Sequence, residues 1–297
     1  MALHQFRETK IGQDRLDRID QIIEIVNDYP DQKLTARQVY YQFVSRGWLE
    51  NNVKNYKNLT VLLTDARYAG LVDWDAIEDR NREPDTPSDW PNIEALVDTA
   101  LRSFRLPRWK GQDHHVELWV EKAALAGILG PIARRFHITL MVNKGYSSAS
   151  AMKDAAERMM RACEEESDEG STKTPILLYL GDHDPSGKDM VRDIDDRLTE
   201  FGVEELEVKN IALTTAQVRK YNPPPNPAKL TDSRAKAYIE EFGDSSWELD
   251  ALPPPALTQL VESSIRNLIN QELMDTMIAE EESERQLLRE AVKKMRI

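Results

Sequence analysis

The apolar run Ile176–Leu180 breaks off at Gly181-Asp182-His183-Asp184-Pro185-Ser186-Gly187, and this segment limits the possible folds more than any other. A short run without polar alternation, closed by turn residues, is the pattern of a strand buried on both faces, as in a parallel sheet covered by helices. A second run, Val116–Val120, ends in Glu121 in the same way. The i, i+2 spacing of Asp182 and Asp184 on a strand directs both carboxylates to one face. Open parallel sheets place their sites at the carboxyl ends of strands. Glu121, Asp182 and Asp184 are therefore predicted metal ligands, for magnesium or alternatively manganese, because such ions take hard oxygen donors and keep several waters. A competing reading makes the two aspartates turn and helix-cap residues ahead of Pro185.

The pattern around these runs repeats. Strands are expected at 115–120, 138–142, 175–180 and 208–213. Helices are expected at about 122–135 and 149–165, with another beginning near Ser186 or Gly187. Such alternation predicts an α/β domain with a mainly parallel sheet and right-handed crossovers. Ahead of it, helical spacing of Leu16, Ile19, Ile22, Ile23 and Val26 predicts a helix over 13–28. Thr35 is placed to cap a second helix reaching Arg46 and stopped by Gly47, and a third spans about 56–68. A short strand at Leu71-Val72 follows. Three short helices with a small β appendage suggest a helix-turn-helix or winged-helix module. The Pro-, Asp- and Ser-rich stretch 81–91 reads as a linker, Ile93–Phe104 as a bridging helix, Asn222–Pro227 as a proline loop, and 256–296 as helical. The domain boundaries expected are 1–85, a linker and bridge at 86–112, and 113–297.

The net charge of −13 argues at first sight against nucleic acid, since phosphate contacts come from Lys and Arg. Locally the balance reverses. Residues 31–70 carry Lys33, Arg37, Arg46, Lys54, Lys57 and Arg67 against Asp31, Glu50 and Asp65, and 101–110 adds Arg102, Arg105, Arg108 and Lys110. The acidic runs Glu164–Glu169 and Glu280–Glu284 read as solvated faces. Cys163 is the single cysteine, which excludes an internal disulfide or a cysteine-rich zinc site and suits a small apolar residue. No apolar stretch approaches a membrane span and no signal-peptide pattern opens the sequence, so a cytoplasmic location without membrane contact is expected. His183, alternate to its acidic neighbours on a strand, should point away from them and pack. His114 and His115 have no partner at ligand spacing. Arg37 and Tyr41 are helical neighbours at i, i+4, and a cation there favours the phenolate, but on the residues alone a Tyr40-Tyr41 pair on a helix is first of all the mark of core packing. Lys144-Gly145 follows the second strand as a weak phosphate-loop signal.

In this order the pieces resemble the A subunit of DNA topoisomerase VI and the related meiotic double-strand-break transesterase. Arg37-Gln38-Val39-Tyr40-Tyr41 matches that family's Arg-x-x-x-Tyr motif, with Gln38 where an acidic residue is usual. Val120-Glu121-Lys122, Lys144-Gly145-Tyr146 and Asp182-His183-Asp184-Pro185-Ser186-Gly187 match its Toprim motifs, and Trp247-Glu248-Leu249-Asp250-Ala251-Leu252 its C-terminal region. The likeness covers roughly residues 30–270, and the size is that of the compact stand-alone Mini-A type. It implies a winged-helix domain of the catabolite-activator type before a Toprim domain with a helical C-terminal segment. It also implies an isomerase-class activity, DNA cleavage and possible rejoining, in which Tyr41 becomes covalently linked to DNA. Arg37 and Glu121 would assist, and Arg37, Lys54, Lys57, Arg67, Lys122 and Lys144 would contact DNA. The expected partners are double-stranded DNA and a second copy in a homodimer, with a separate ATPase subunit as a further candidate, in a bacterial, plasmid or phage setting. Two alternatives stay open: a Toprim nuclease using water, and a non-catalytic DNA-binding subunit.

Overall fold

A computed structural model of the chain describes residues 5–7, 11–30, 32–77, 87–143, 145–165, 173–228, 232 and 234–295. The protein is a mixed α/β structure. Its first helices form as local signals dictate. Helix α1 (Gln13–Asn27) buries Ile19, Ile22 and Ile25. Helix α2 (Ala36–Ser45) begins in a reciprocal capping box, in which the Thr35 hydroxyl accepts from Gln38 N while the Gln38 side chain accepts from Thr35 N. Helix α3 (Val53–Tyr68) starts three residues earlier than its periodicity suggests, because the Asn52 side chain accepts from Asn55 N. These helices close over one apolar core that takes in Tyr40, Tyr41 and Phe43.

The expected strand at Leu71-Val72 is absent. Val72 is buried and Leu71 packs against the same core, and the only β contact in this part of the described chain is a parallel bridge from Leu34 to Ile77. Residues 78–86, which hold most of the expected linker and a domain boundary, lie outside the described residues. Helix α4 (Ile93–Ser103) forms where Ile93–Phe104 was expected to be helical.

Strands β1 (His114–Val120), β2 (Thr139–Val142), β3 (Thr174–Leu180) and β4 (Glu207–Ala212) make one parallel sheet in the order β2-β1-β3-β4. Helix α5 (Ala126–Phe136) connects β1 to β2, α6 (Ala149–Glu165) connects β2 to β3, and α7 (Pro185–Glu200) connects β3 to β4. Both faces are covered. One packs Val116, Leu118, Val120, Ile176, Leu178 and Leu180 with α5 and the C-terminal helices, and the other packs Trp119, Leu177 and Tyr179 with α6 and α7. Cys163, on α6, is buried, as its small apolar character suggests.

Beyond the sheet lie two short helices that the sequence reading passed over, α8 (Thr215–Tyr221) and α9 (Ala235–Phe242). The proline loop is not wholly irregular, since β5 (Asn226–Pro227) pairs antiparallel with β6 (Ser245–Ser246) at an edge where Pro is tolerated. The C-terminal helical region is two helices, α10 (Pro254–Arg266) and α11 (Gln271–Met295). Glu281 corrects the expectation of a solvated acidic face. It is 1% exposed, and it accepts from Arg108, Arg285 and Leu106 N, so it fastens α11 beneath the α4 connection. Arg108, expected in an open basic patch, is consumed by that contact, and Arg105 joins it at 3.7 Å. Among the described residues no helix is long and apolar enough to cross a membrane.

Candidate functional site

The carboxyl ends of β1 and β3 meet because the strands pair in register from His114 with Thr174 to Val120 with Leu180. Glu121 therefore leaves the sheet beside Asp182, and Asp182 N approaches Glu121 Oε2 at 3.3 Å. The i, i+2 strand argument for Asp182 and Asp184 needs correction. Strand β3 ends at Leu180, and His183 instead bridges antiparallel to Trp247. Asp184 is the N-cap of α7, its Oδ1 accepting from Gly187 N at 2.7 Å, with Pro185 in the first turn. Asp182 has different partners. Its Oδ1 accepts from Leu249 N at 2.8 Å and its Oδ2 lies 3.0 Å from Lys122 Nζ.

Two glycines make this geometry possible. A Cβ on Gly187 would lie 2.2 Å from the Asp182 carbonyl oxygen, and one on Gly181 would lie 2.7 Å from the Tyr179 hydroxyl. That hydroxyl is buried without a hydrogen-bond partner among the described residues. Burial raises its pKa, and the Glu121, Asp182 and Asp184 charges raise it further.

The segment Glu248-Leu249-Asp250 is the part that sequence reasoning did not assign to the site. Glu248 binds the Arg37 guanidinium and accepts from Lys122 Nζ at 2.6 Å. Leu249 N holds Asp182. Asp250, fully buried, lies 3.0 Å from Lys122 Nζ and 3.3 Å from Arg37 Nε. Arg37 also donates to the Tyr41 hydroxyl at 3.5 Å. A continuous polar chain thus runs from Tyr41 on α2 through Arg37, Glu248 and Lys122 to Asp182 and Glu121 at the sheet edge. The resemblance of Trp247–Leu252 to the family's C-terminal region was the one available signal for it.

Charge and burial set the protonation states. Burial pushes Asp182 up, Lys122 opposes this and Glu121 adds to it, leaving its carboxyl at about 7. Burial works against the charge on Lys122, but Asp250, Asp182 and Glu248 outweigh it and its pKa is raised. Tyr41 is 3% exposed, and burial first, then Asp250 and Glu248, push it up to about 12 against the pull of Arg37. At rest Tyr41 is a protonated phenol.

A divalent ion has a fitting donor pair here. Glu121 and Asp182 are hard-oxygen donors at one sheet edge, and an Asp held up at about 7 by burial is a carboxylate that a further cation would ionise. The full set of three is not assembled, since Asp184 caps α7, and among the described residues no group of three or more His, Cys, Asp or Glu is gathered for an ion.

The remaining predicted residues are dispersed. Lys54 and Lys57 are exposed on α3. Arg67 folds over the Trp74 ring at 4.2 Å and donates to Trp74 O, so it braces the 74–77 turn. Lys144 lies outside the described residues. His183 is 1% exposed, with Nδ1 2.8 Å from the Tyr238 hydroxyl and Nε2 3.0 Å from Thr215 Oγ1, and burial holds it down at about 4. It packs, as expected, and pins α8 and α9 to the sheet edge.

No protein-family model matches this chain, and no curated protein matches it in sequence.

Proposed function

We propose that the chain is a DNA strand-cleaving transesterase of the topoisomerase VI A-subunit type, with a winged-helix tyrosine domain and a Toprim domain. The observation that carries this reading is the polar chain joining the Arg37–Tyr41 helix to the Glu121–Asp182 edge through Glu248 and Lys122. Two motifs some eighty residues and more apart in sequence have no local reason to meet, and Arg37 is shared between the Tyr41 hydroxyl and the Glu248 carboxylate that also binds Lys122.

In the reaction the Tyr41 oxygen forms an ester bond to a backbone phosphorus, and the bond from phosphorus to the 3′ oxygen breaks. The DNA is left with a 5′-phosphotyrosyl link and a 3′ hydroxyl. The phenol proton is lost as the new bond forms, and the departing 3′ oxygen takes up one from solvent. Arg37 and Lys122 balance the charge on the phosphate. Glu121 and Asp182 would hold a magnesium or manganese ion, which when bound supplies charge stabilisation at the phosphodiester. The exposed Lys54 and Lys57 on α3 meet the duplex backbone. Family likeness further implies a homodimer, with ATP hydrolysis left to a separate subunit.

Incubation with supercoiled plasmid and magnesium or manganese, resolved with and without protease, tests this. Wild type should give nicked or linear DNA bound to protein, and Tyr41→Phe should give no adduct. An adduct that persists in Tyr41→Phe removes Tyr41 from the mechanism. One observation favours a second reading, cleavage by water at the same carboxylates: the Tyr41 hydroxyl is buried and protonated at rest. Cleavage by Tyr41→Phe with free DNA ends would select it.

A further inference from the structure

Glu248 binds both cations that would balance the phosphate charge, yet tyrosyl transfer gives it no role. Its Oε2 takes the Arg37 guanidinium and the Lys122 ammonium together, and the same Arg37 nitrogen lies 3.5 Å from the Tyr41 hydroxyl. Two cations around one anionic oxygen, with a phenol beside one of them, are the surroundings of a phosphodiester about to be attacked by that phenol. Guanidinium and ammonium groups bind carboxylate and phosphate oxygens by the same charge-assisted hydrogen bonds.

The two carboxylates of the segment differ in access. The Asp250 side chain is wholly buried, whereas those of Glu248 and Arg37 are 23% and 42% exposed. An anion arriving from solvent therefore meets the Glu248–Arg37 side of the bridge first. Glu248 and a phosphate cannot share it, because like charges within contact distance repel strongly where water is scarce. Asp250 holds both Arg37 and Lys122 from the closed side, so the two cations keep their places when Glu248 swings out.

We propose that Glu248 occupies the phosphodiester subsite in the resting chain as an internal mimic of the substrate phosphate, and that substrate binding displaces it. Naming the ligand as a DNA phosphodiester rests on the strand-cleavage reading; the anion site itself rests on Arg37, Lys122 and Tyr41. Displacement hands the Arg37 and Lys122 contacts of Glu248 to the phosphodiester, which then lies beside the Tyr41 hydroxyl that Arg37 already holds.

The test uses the full chain. Inorganic phosphate is titrated by calorimetry into wild type, Glu248→Gln and the double variant Glu248→Gln with Arg37→Met, and a short duplex is followed by fluorescence anisotropy. Glu248→Gln should bind phosphate about tenfold tighter than wild type, the effect of removing one competing charge-assisted bond, and the double variant should lose the gain. Glu248→Asp, which keeps the charge on a shorter arm, should fall between and serves if the glutamine variant does not fold. Equal phosphate affinity in folded wild type and variant, or a gain that survives Arg37→Met, overturns the proposal. A phosphate gain without duplex binding by any form keeps the role of Glu248 and removes the strand-cleavage reading. Duplex binding and adduct formation with unchanged phosphate affinity does the reverse.

Discussion

Replacing Arg158 by Met exposes how the central strand is held. Glu117 sits in β1 at 0% exposure, between β2 and β3, where a carboxylate is costly unless fully paired. Arg158 on α6 supplies two bonds, Nε to Oε1 and Nη2 to Oε2, each 2.8 Å, and Trp119 Nε1 adds a third at 2.8 Å. Burial pushes the Glu117 carboxyl up, but Arg158, His115 and Trp119 outweigh it and the pKa is lowered. Breaking a buried pair costs roughly 3–5 kcal/mol. Arg158 is 39% exposed, so water screens part of the loss and the lower end, about 3 kcal/mol at pH 8, is expected.

The pH dependence has a definite sign. In wild type the folded pKa of Glu117 lies below its unfolded value, so its contribution is present above about pH 4 and fades as pH falls through the folded pKa. Without Arg158 burial dominates and raises the folded pKa. The variant then loses stability as pH rises, so its deficit is largest at pH 8 and shrinks towards pH 4. Urea unfolding at pH 8 and pH 5 measures this, and Glu117→Gln added to Arg158→Met should recover most of the loss. A deficit under about 1 kcal/mol at pH 8, or one equal at both pH values, refutes the reasoning.

Three further outcomes are expected. Mixed dimers of Tyr41→Phe with Asp182→Asn protomers should regain single-strand cleavage only if the tyrosine of one copy acts at the carboxylates of the other; a plasmid-nicking assay of the mixture against each variant alone distinguishes this from action within one chain. Gly187→Ala, whose Cβ would lie 2.2 Å from the Asp182 carbonyl oxygen, should cost about 3 kcal/mol in urea unfolding and reduce manganese affinity, because the chain must move where Asp182 is held. Alanine at both Lys54 and Lys57 should reduce the slope of log affinity against log salt by roughly 2 for duplex DNA, and an unchanged slope removes α3 from the interface.

Helices α1 and α2 and strands β1, β2 and β3 were legible in the sequence because their signals are local. Apolar spacing, the Thr35 N-cap and runs closed by turn residues act within a few positions of each other. The carboxylates at the sheet edge were legible for the same reason, as strand-end residues. Their division of labour was not, since Asp184 became a cap and Asp182 a partner of Lys122 only once β3 ended at Leu180. Glu117 was concealed inside an apparently apolar run, and Glu281 inside an acidic one; α6 and the 105–108 segment, brought in from elsewhere, supply the arginines that allow burial. Arg37 and Glu248 are 211 residues apart, and charge pairing over such a distance has no period, cap or spacing to betray it. The elements and the chemical types at their ends belong to the sequence by itself. Which charges neutralise which, and so where an incoming anion would be received, only the tertiary structure decided, because burial and pairing are properties of neighbours in space.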